Sequence, residues 1–392
     1  MVLSSHRPES SKDRLLIATP YSPLEAHGHA ADDIALSSIK ALAAKFEVHV
    51  YAPGQRETVE IRYDENPVTY HRASPARPSV ARLFGLYPAA LRKDWRRVNT
   101  REFLELSRLL DVSHVHVEYL QPAEVGRSLS GSWSITLHDV TTRIWYEKVK
   151  QASGVSRLYR WFEYYRVRPV ERAAITRASH VFALSPRDVE TIGAMNRNSS
   201  RLRLGTTIPQ RQWDTSQLPK AVFVFAGAMW RTPNNLMALS LIQEVMPLVR
   251  KSLPRAQLRI VGIGAPAWLE ELSGRNGISI VGRVESIEEE YFSASAVLAP
   301  SLVDAGILMK ALRGLACGSP LVVNSTAAEP VGLVDGVNAR IADGSEEIAA
   351  ALVALIADAE SAAAIGQAGR DTVSARFTWA NYADDFVEGL AR

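Results

Sequence analysis

Short runs of apolar, often β-branched residues alternate with helix-like segments along most of the 392-residue chain, and this alternation constrains the fold more than any other feature. Leu15–Ala18 is typical of a buried strand, and the residues that follow have apolar positions at helical spacing. A second strand, His180–Leu184, is followed by Ser185 and Pro186, a pair that favours a helix start. Strands that alternate with helices predict parallel sheets covered by helices.

The alternation stops at Gln210–Lys220, which is polar and lacks apolar periodicity, and it restarts with a strand at Ala221–Ala226. We therefore predict an α/β protein with two Rossmann-like domains, residues 13–210 and 221–375, and a linker between them. Residues 1–12 are polar and are interpreted as a disordered lead-in. Open α/β sheets bind ligands beyond the carboxyl ends of their strands, so we expect the domains to face each other across a deep cleft that holds the active site.

Charge and cysteine content narrow the classes of partner. The single cysteine, Cys317, excludes an intramolecular disulfide and a zinc site built on cysteines. The net charge is only +3, but basic residues are in excess in the first half and acidic residues in the second. No zinc-finger, helix-turn-helix or RNP pattern accompanies this charge, so a nucleic-acid partner is not expected.

Two interpretations of the densest basic stretch stay open. It is either a solvated helix face or a docking surface for an anionic membrane or an anionic acceptor. The N-terminus has no apolar segment typical of a secretory signal, and no run of about 18 apolar residues occurs. We therefore expect a cytoplasmic protein, with peripheral membrane contact left open. The basic residues of the stretch are Arg92, Lys93, Arg96, Arg97 and Arg101.

The segment from Pro300 to Val323 is the most informative for chemistry. A strand ends at Pro300, and Asp304 is a candidate N-cap for the helix that follows. Lys310 and Arg313 lie three residues apart on one face of this helix, near its start. A helix N-terminus with a lysine suits a phosphate, although two cations whose stems cover a buried helix would give the same pattern.

This segment resembles the nucleotide-sugar segment of GT-B-fold glycosyltransferases of retaining family 4, also called glycosyl transferases group 1. Further motifs occur in the family's order: Leu137-His138-Asp139-Val140, the loop from Gly227 to Asn235, and Phe377-Thr378-Trp379. The resemblance implies a GT-B fold whose C-terminal helix, residues 376–392, crosses back to the N-terminal domain. The residues of the segment that match the family are Gly306, Lys310, Leu312, Ala316, Gly318, Pro320, Val322 and Val323.

The resemblance implies a glycosyltransferase of carbohydrate biosynthesis that moves a sugar from a nucleoside diphosphate to an acceptor, with retention of configuration and without a metal or other cofactor. His138, Arg231 and Lys310 would be the catalytic residues, and Arg231 and Lys310 would contact the diphosphate. The donor sugar nucleotide is the implied partner, and the sequence does not identify the acceptor. The remaining donor-binding residues would be Gly28, Gly227, Arg283, Pro300, Ser301, Asp304, Gly306, Ile307 and Arg313.

The sequence departs from the family at several of these positions. Arg313 occupies the place of a glutamate that accepts hydrogen bonds from the ribose, and an arginine cannot accept them. Arg313 would bind phosphate, pair with an acid such as Asp304 or Glu329, or mark a catalytically silent GT-B scaffold that serves as a partner subunit. His27 and His29 flank Gly28 where the family has consecutive glycines. A GT-B-fold epimerase or phosphorylase fits the order of motifs poorly.

Gly262-Ile263-Gly264 also follows a strand, but the third glycine of a dinucleotide-binding fingerprint is missing. We therefore interpret this tripeptide as a tight turn.

Overall fold

The computed structural model describes residues 12–24, 30–75, 87–92, 95–129, 131–150, 152–303 and 306–392. The chain forms two compact units. The first extends to Arg203 and includes Ala380–Arg392, and the second is Leu204–Trp379. Each unit is built on a sheet whose central strands are parallel, as the alternating pattern predicts.

The first unit contains an eight-stranded sheet of order β3-β4-β2-β1-β5-β6-β7-β8. All neighbouring strands are parallel except β3 and β4, which form an antiparallel pair at the edge. The strands are β1 Arg14–Ala18, β2 Glu47–Tyr51, β3 Val59–Tyr63, β4 Asn66–His71, β5 His114–Glu118, β6 Trp133–Leu137, β7 His180–Ala183 and β8 Ser199–Arg201. The helices that precede the second unit are α1 Ala30–Ala43, α2 Ala89–Arg92, α3 Arg97–Leu109, α4 Thr141–Lys150, α5 Gly154–Arg177 and α6 Pro186–Gly193, with a 3₁₀ segment at Gln121–Arg127.

The second unit contains a six-stranded parallel sheet of order β11-β10-β9-β12-β13-β14. Its strands are β9 Val222–Ala226, β10 Gln257–Val261, β11 Ile278–Val281, β12 Ala296–Leu298, β13 Leu321–Val323 and β14 Arg340–Ile341. Its helices are α7 Thr232–Ser240, α8 Met246–Ser252, α9 Ala267–Glu270, α10 Ile287–Ser293, α11 Met309–Cys317, α12 Ser325–Ala328, α13 Ser345–Ala357 and α14 Ala359–Arg376, with a 3₁₀ segment at Thr215–Lys220 and a π segment at Leu241–Val245.

The last helix, α15 (Trp379–Leu390), packs into the first unit. Phe386 is fully buried there, and its ring stacks on Phe182 of β7 at a centroid distance of 4.9 Å. Asp385 accepts a hydrogen bond from the backbone N–H of Arg203 and pairs with its guanidinium. The C-terminal helix, which the family resemblance places with the N-terminal domain, is therefore part of the first unit.

The observed division differs from the predicted boundaries. The predicted linker, residues 210–220, is part of the second unit because Trp213 is buried in that unit's core and donates a hydrogen bond to the carbonyl of Ala294. Phe377 also belongs to this core, and its carbonyl accepts a hydrogen bond from the N–H of Thr206. A polar stretch with one large aromatic residue was therefore mistaken for a linker.

Each sheet has one point where the strand order reverses. In the first sheet β1 lies between β2 and β5, and in the second β9 lies between β10 and β12. Loops that leave the carboxyl ends of β1 and β5, or of β9 and β12, run to opposite sides of the sheet and leave a crevice between them. The fold therefore places one candidate ligand position on each unit.

Among the described residues, no single helix is long and apolar enough to cross a membrane; α13 joined to the stretch Ala359–Leu390, with a 109° bend between them, meets the criterion by length and composition alone.

Candidate functional site

The loop after β9 is held in one shape by side-chain amides of the helix that follows it. Arg231 is the N-cap residue of α7, and Pro233 lies in the helix's first turn. Asn234 donates to the carbonyl of Ala228 at 3.1 Å, and Asn235 donates to the carbonyl of Met229 at 3.2 Å. These bonds fix the backbone that leads to Arg231, whose side chain is exposed at the carboxyl edge of the sheet.

Glycines bring the loops after β9 and β10 into direct contact. Gly262 has φ +140°, and a Cβ atom there would lie 1.7 Å from the carbonyl oxygen of Gly227. Gly264 has φ +75°, and its Cβ atom would lie 2.9 Å from the Cβ of Trp230. Backbone this close leaves no space for a side chain, so both glycines are structurally required. The positive φ angles support the interpretation of Gly262-Ile263-Gly264 as a tight turn.

Lys310 enters the same region from the other side of the reversal point. It is the second residue of α11, and its Nζ lies 3.9 Å from the ring centroid of Phe225, the residue before the last in β9. Burial lowers the pKa of the Lys310 ammonium to about 7, and the positive charge of Arg231 adds to this decrease. Two cations from separate elements thus lie near the carboxyl edge of β9, close enough for the charge of Arg231 to affect the pKa of Lys310.

The described part of the chain supplies no carboxylate that pairs with Arg231 or Lys310, whereas several other arginines have such a partner. Like charges brought together and partly removed from water are unfavourable, and a bound anion would relieve both costs. The arrangement is therefore typical of a site for an anionic ligand.

The loop after β12 is tied to the loop after β13. The N–H of Ser301 donates to Asn324 Oδ1 at 3.0 Å, and Asn324 Nδ2 donates to the Ser301 carbonyl at 2.8 Å. Pro300 is buried beside it. Gly306, with φ +64°, and Ile307 then lead into α11.

The prediction that Asp304 caps this helix was wrong. The helix starts at Met309, and its N-cap residue is Leu308, whose side chain makes no capping hydrogen bond. The loop turns through Gly306 in the left-handed conformation and so delays the helix by several residues. Asp304 itself lies outside the described residues.

The Arg313 and Arg283 side chains have different surroundings from the Arg231–Lys310 pair. The Arg313 guanidinium is 3.8 Å from a carboxylate oxygen of Glu288 on α10, a partner that differs from the two acids suggested by the sequence. Burial raises the pKa of Tyr291, and the nearby positive charge of Arg313 partly offsets this rise. Arg283 is exposed after β11, next to Gly282, whose carbonyl accepts a hydrogen bond from Gly262.

The reversal point of the first sheet holds a carboxylate between two imidazoles. Glu118, the last residue of β5, is buried; its Oε1 contacts His138 Nε2 at 2.5 Å, and its Oε2 contacts His116 Nε2 at 3.0 Å. Burial alone raises the Glu118 pKa, but the hydrogen bonds from His116 and His138 outweigh it and lower the pKa to about 2. His138 also stacks on Tyr119 at a centroid distance of 3.9 Å.

Glu118 and Tyr119 were missed by the sequence analysis. Their signal was present, because the run His114 to Glu118 alternates and ends in a carboxylate at the same sheet edge as His138. Tyr21, in the loop after β1, lies 5.5 Å from the Tyr119 ring. Gly28, His27 and His29, which follow this loop, lie outside the described residues.

Comparison with known proteins bears on the second unit most directly. Residues 220–358 match the family described as glycosyl transferases group 1.

Curated relatives are similar over part of their length. The chain is 29% identical over 146 residues to a D-inositol 3-phosphate glycosyltransferase of Stackebrandtia nassauensis, covering 33% of each protein. It is 28% identical over 182 residues to the protein of that name from Corynebacterium kroppenstedtii, covering 42% of this chain and 39% of the relative. The chain thus matches well under half the length of these relatives.

Solved structures extend the likeness to the whole fold. Sucrose-phosphate synthase from Thermosynechococcus elongatus has a TM-score of 0.70 at 16% identity, over 97% of this chain and 98% of that one. Anabaena Alr3699/HepE in complex with UDP-glucose has a TM-score of 0.66 at 14% identity, over 96% and 99%. The trehalose-6-phosphate synthase OtsA has a TM-score of 0.66 at 11% identity, over 97% and 99%. The chain therefore has the GT-B fold of two α/β units.

Within the second unit, the structure brings together Arg231, Lys310 and the glycine loop that starts at Gly227. Ser301 and Gly306 lie on the same carboxyl edge, in the loop after β12. Arg313 is paired with Glu288, and His138 belongs to the first unit. Among the described residues, no group of three or more His, Cys, Asp or Glu side chains is arranged to hold a metal ion.

Proposed function

We propose that the protein is a glycosyltransferase that moves a sugar from a nucleoside diphosphate to an acceptor, with retention at the anomeric carbon. The observation that carries the proposal is the Arg231–Lys310 pair at the strand-order reversal of the second unit. Cleavage of the donor places negative charge on the departing diphosphate. Fixed positive groups that face this charge are typically the largest contribution to catalysis in such a site.

The same pair supports transfer without a bound metal, because two cations can neutralise the charge that a divalent ion would otherwise balance. UDP-glucose is the first donor to test and UDP the first nucleotide ligand, because Alr3699/HepE has been solved in separate complexes with each. An anionic acceptor for the basic first unit, and a cytoplasmic location, belong to this proposal as well.

The test is a panel of nucleoside diphosphate sugars, assayed with and without EDTA, followed by NMR of the anomeric proton of donor and product. We expect turnover of at least one donor, unchanged activity in EDTA, and the same anomeric configuration in donor and product. Inversion of configuration would overturn retention, and loss of activity in EDTA that is restored by a divalent ion would overturn metal independence.

A catalytically silent scaffold is the second candidate, favoured by Arg313 at the position of the family's glutamate and by its pairing with Glu288. Calorimetric titration with UDP, GDP and ADP separates the candidates. Binding of a nucleotide that Lys310→Ala abolishes supports the transferase. If no nucleotide binds, the scaffold is correct.

A further inference from the structure

Helix α5 has an apolar stripe that faces outward. Val155, Leu158, Phe162 and Tyr165 are 82%, 70%, 50% and 62% exposed. Their spacing of three or four residues places them in one stripe along the helix. An ordinary surface helix of a globular protein has a single apolar stripe, which faces the core. The buried face of α5 is mixed and contains Glu163, Arg166, Val167, Val170, Glu171, Ala174 and Ile175.

The inner face of α5 explains why the helix keeps this orientation. Buried Glu163 and Arg166 form an ion pair, and Glu163 also accepts a hydrogen bond from the N–H of Ala89 at 3.0 Å. Buried Glu171 accepts from the N–H groups of Thr141 at 2.6 Å and Thr142 at 3.0 Å, at the start of α4. Turning the apolar stripe inward would leave these buried charges without partners, so the outward stripe is a fixed feature of the fold.

Aromatic rings extend the stripe onto α4. Trp161 stacks on Tyr165 at 5.4 Å, and Tyr164 links Trp161 at 5.3 Å to Tyr146 of α4 at 5.9 Å. Tyr146 is 41% exposed. Tyrosine and tryptophan combine an apolar ring with a polar tip, which suits the boundary between water and hydrocarbon.

The charges beside the stripe are almost all of one sign. Arg157, Arg168 and Arg172 of α5 are exposed, whereas both acidic residues of this fully described helix are buried. On α4, Lys148 and Lys150 are exposed with a single acidic neighbour, Glu147. An apolar and aromatic stripe flanked by cations complements a surface that is apolar below and anionic above.

We propose that this α4–α5 face binds the surface of an anionic lipid bilayer, with the apolar stripe inserted at headgroup depth. The basic stretch at 92–101 is a separate feature, of which Arg97 and Arg101 are exposed on α3, and it is not part of this proposal. The proposal does not depend on glycosyl transfer, since adsorption is measured without substrate.

The experiment is flotation of the whole protein with vesicles of phosphatidylcholine alone or mixed with phosphatidylglycerol. We expect co-flotation with the mixed vesicles only, reduced by salt. The double variant Leu158→Ser with Phe162→Ser removes apolar insertion, and its partition coefficient should fall about tenfold or more. Arg157→Gln and Arg168→Gln should each lower it about fivefold.

Leu109→Ser is the matched control, because Leu109 is 81% exposed on α3, outside the α4–α5 face. Its partition should equal that of the parent protein. A blue shift of tryptophan fluorescence on vesicle binding, lost in the double variant, would support insertion near Trp161. The proposal is overturned if the parent protein does not float with anionic vesicles, if the double variant floats equally well, or if the parent is a dimer in gel filtration that the double variant converts to a monomer.

Discussion

The two units place different electrostatics at the same topological position. At the reversal point of the second sheet, Arg231 and Lys310 are brought together and the pKa of the lysine falls. At that of the first sheet, Glu118 is held between His116 and His138, and the pKa of the carboxylate falls to about 2. Among the described residues, the cation pair has no carboxylate partner, whereas Glu118 has two imidazole partners. We therefore propose that the second site binds the ligand and that the first positions His138.

The largest effect is expected at the cation pair. Lys310→Ala should lower kcat/KM about 100- to 1000-fold, because it removes a fixed donor that faces the departing charge. The melting temperature should stay the same or rise, since the lysine is held in the folded protein at a lowered pKa. Steady-state kinetics and differential scanning calorimetry measure both quantities. Full activity of Lys310→Ala would contradict the role proposed for the cation pair of the second unit.

Glu118→Gln tests the positioning of His138 in the first unit. It leaves His138 without a buried carboxylate partner, so we expect kcat to fall about ten- to 100-fold while the Kd for nucleoside diphosphate stays the same. Unfolding should also become easier by about 1–3 kcal/mol, because a charged hydrogen bond to two imidazoles is lost. Nitrogen-15 NMR of the His138 ring should report a changed tautomer. A raised Kd for the nucleotide with unchanged kcat would contradict the positioning role.

Donor affinity should depend on pH through Lys310. In the protein without ligand, Lys310 loses its proton near pH 7. A bound diphosphate raises the pKa of Lys310, so binding of the diphosphate above pH 7 is accompanied by uptake of a proton. The Kd for nucleoside diphosphate should therefore rise up to about tenfold per pH unit as pH increases from 7. Lys310→Arg is the matched control, because its guanidinium stays charged and should flatten the profile. Equal slopes for both proteins in calorimetry would assign the dependence to another group.

The smallest effect is expected at Arg313. Its pairing with Glu288 is partly exposed and 3.8 Å long, and such pairs contribute about 0–1 kcal/mol. Arg313→Gln should change the free energy of unfolding by about 0.5 kcal/mol or less and donor Kd by less than about threefold. Glu288→Gln should match it in both measurements. A much larger loss of donor affinity in Arg313→Gln than in Glu288→Gln would place Arg313 in the donor site.

The fold was predictable because parallel strands that are buried on both faces have short, continuous apolar sequences. The start of α6 was also predictable from the sequence. Ser185 accepts a hydrogen bond from the N–H of Asp188, and Pro186 is the first helical residue. These inferences use only local pattern and strand direction. The assignment of Lys310 and Arg231 to one site came from the family resemblance instead.

The rest depended on contacts between distant parts of the chain. Trp213 makes the predicted linker part of a core through a partner 81 residues away in sequence. The β3–β4 hairpin was missed because its strands are polar and half exposed at the sheet edge. Glu118 was missed because its role depends on His138, 20 residues later and directly after the neighbouring strand β6. Sequence pattern gives periodicity, and such pairings become visible only in three dimensions.

The return of α15 to the first unit has a consequence for synthesis on the ribosome. Phe386 and Tyr382 follow the second unit in sequence but are buried in the first unit, which emerges before it. The second unit is an uninterrupted stretch of sequence and can complete its packing during translation. The first unit can complete its core only after α15 has emerged, so a premature stop before Ala380 damages a unit that was synthesised earlier.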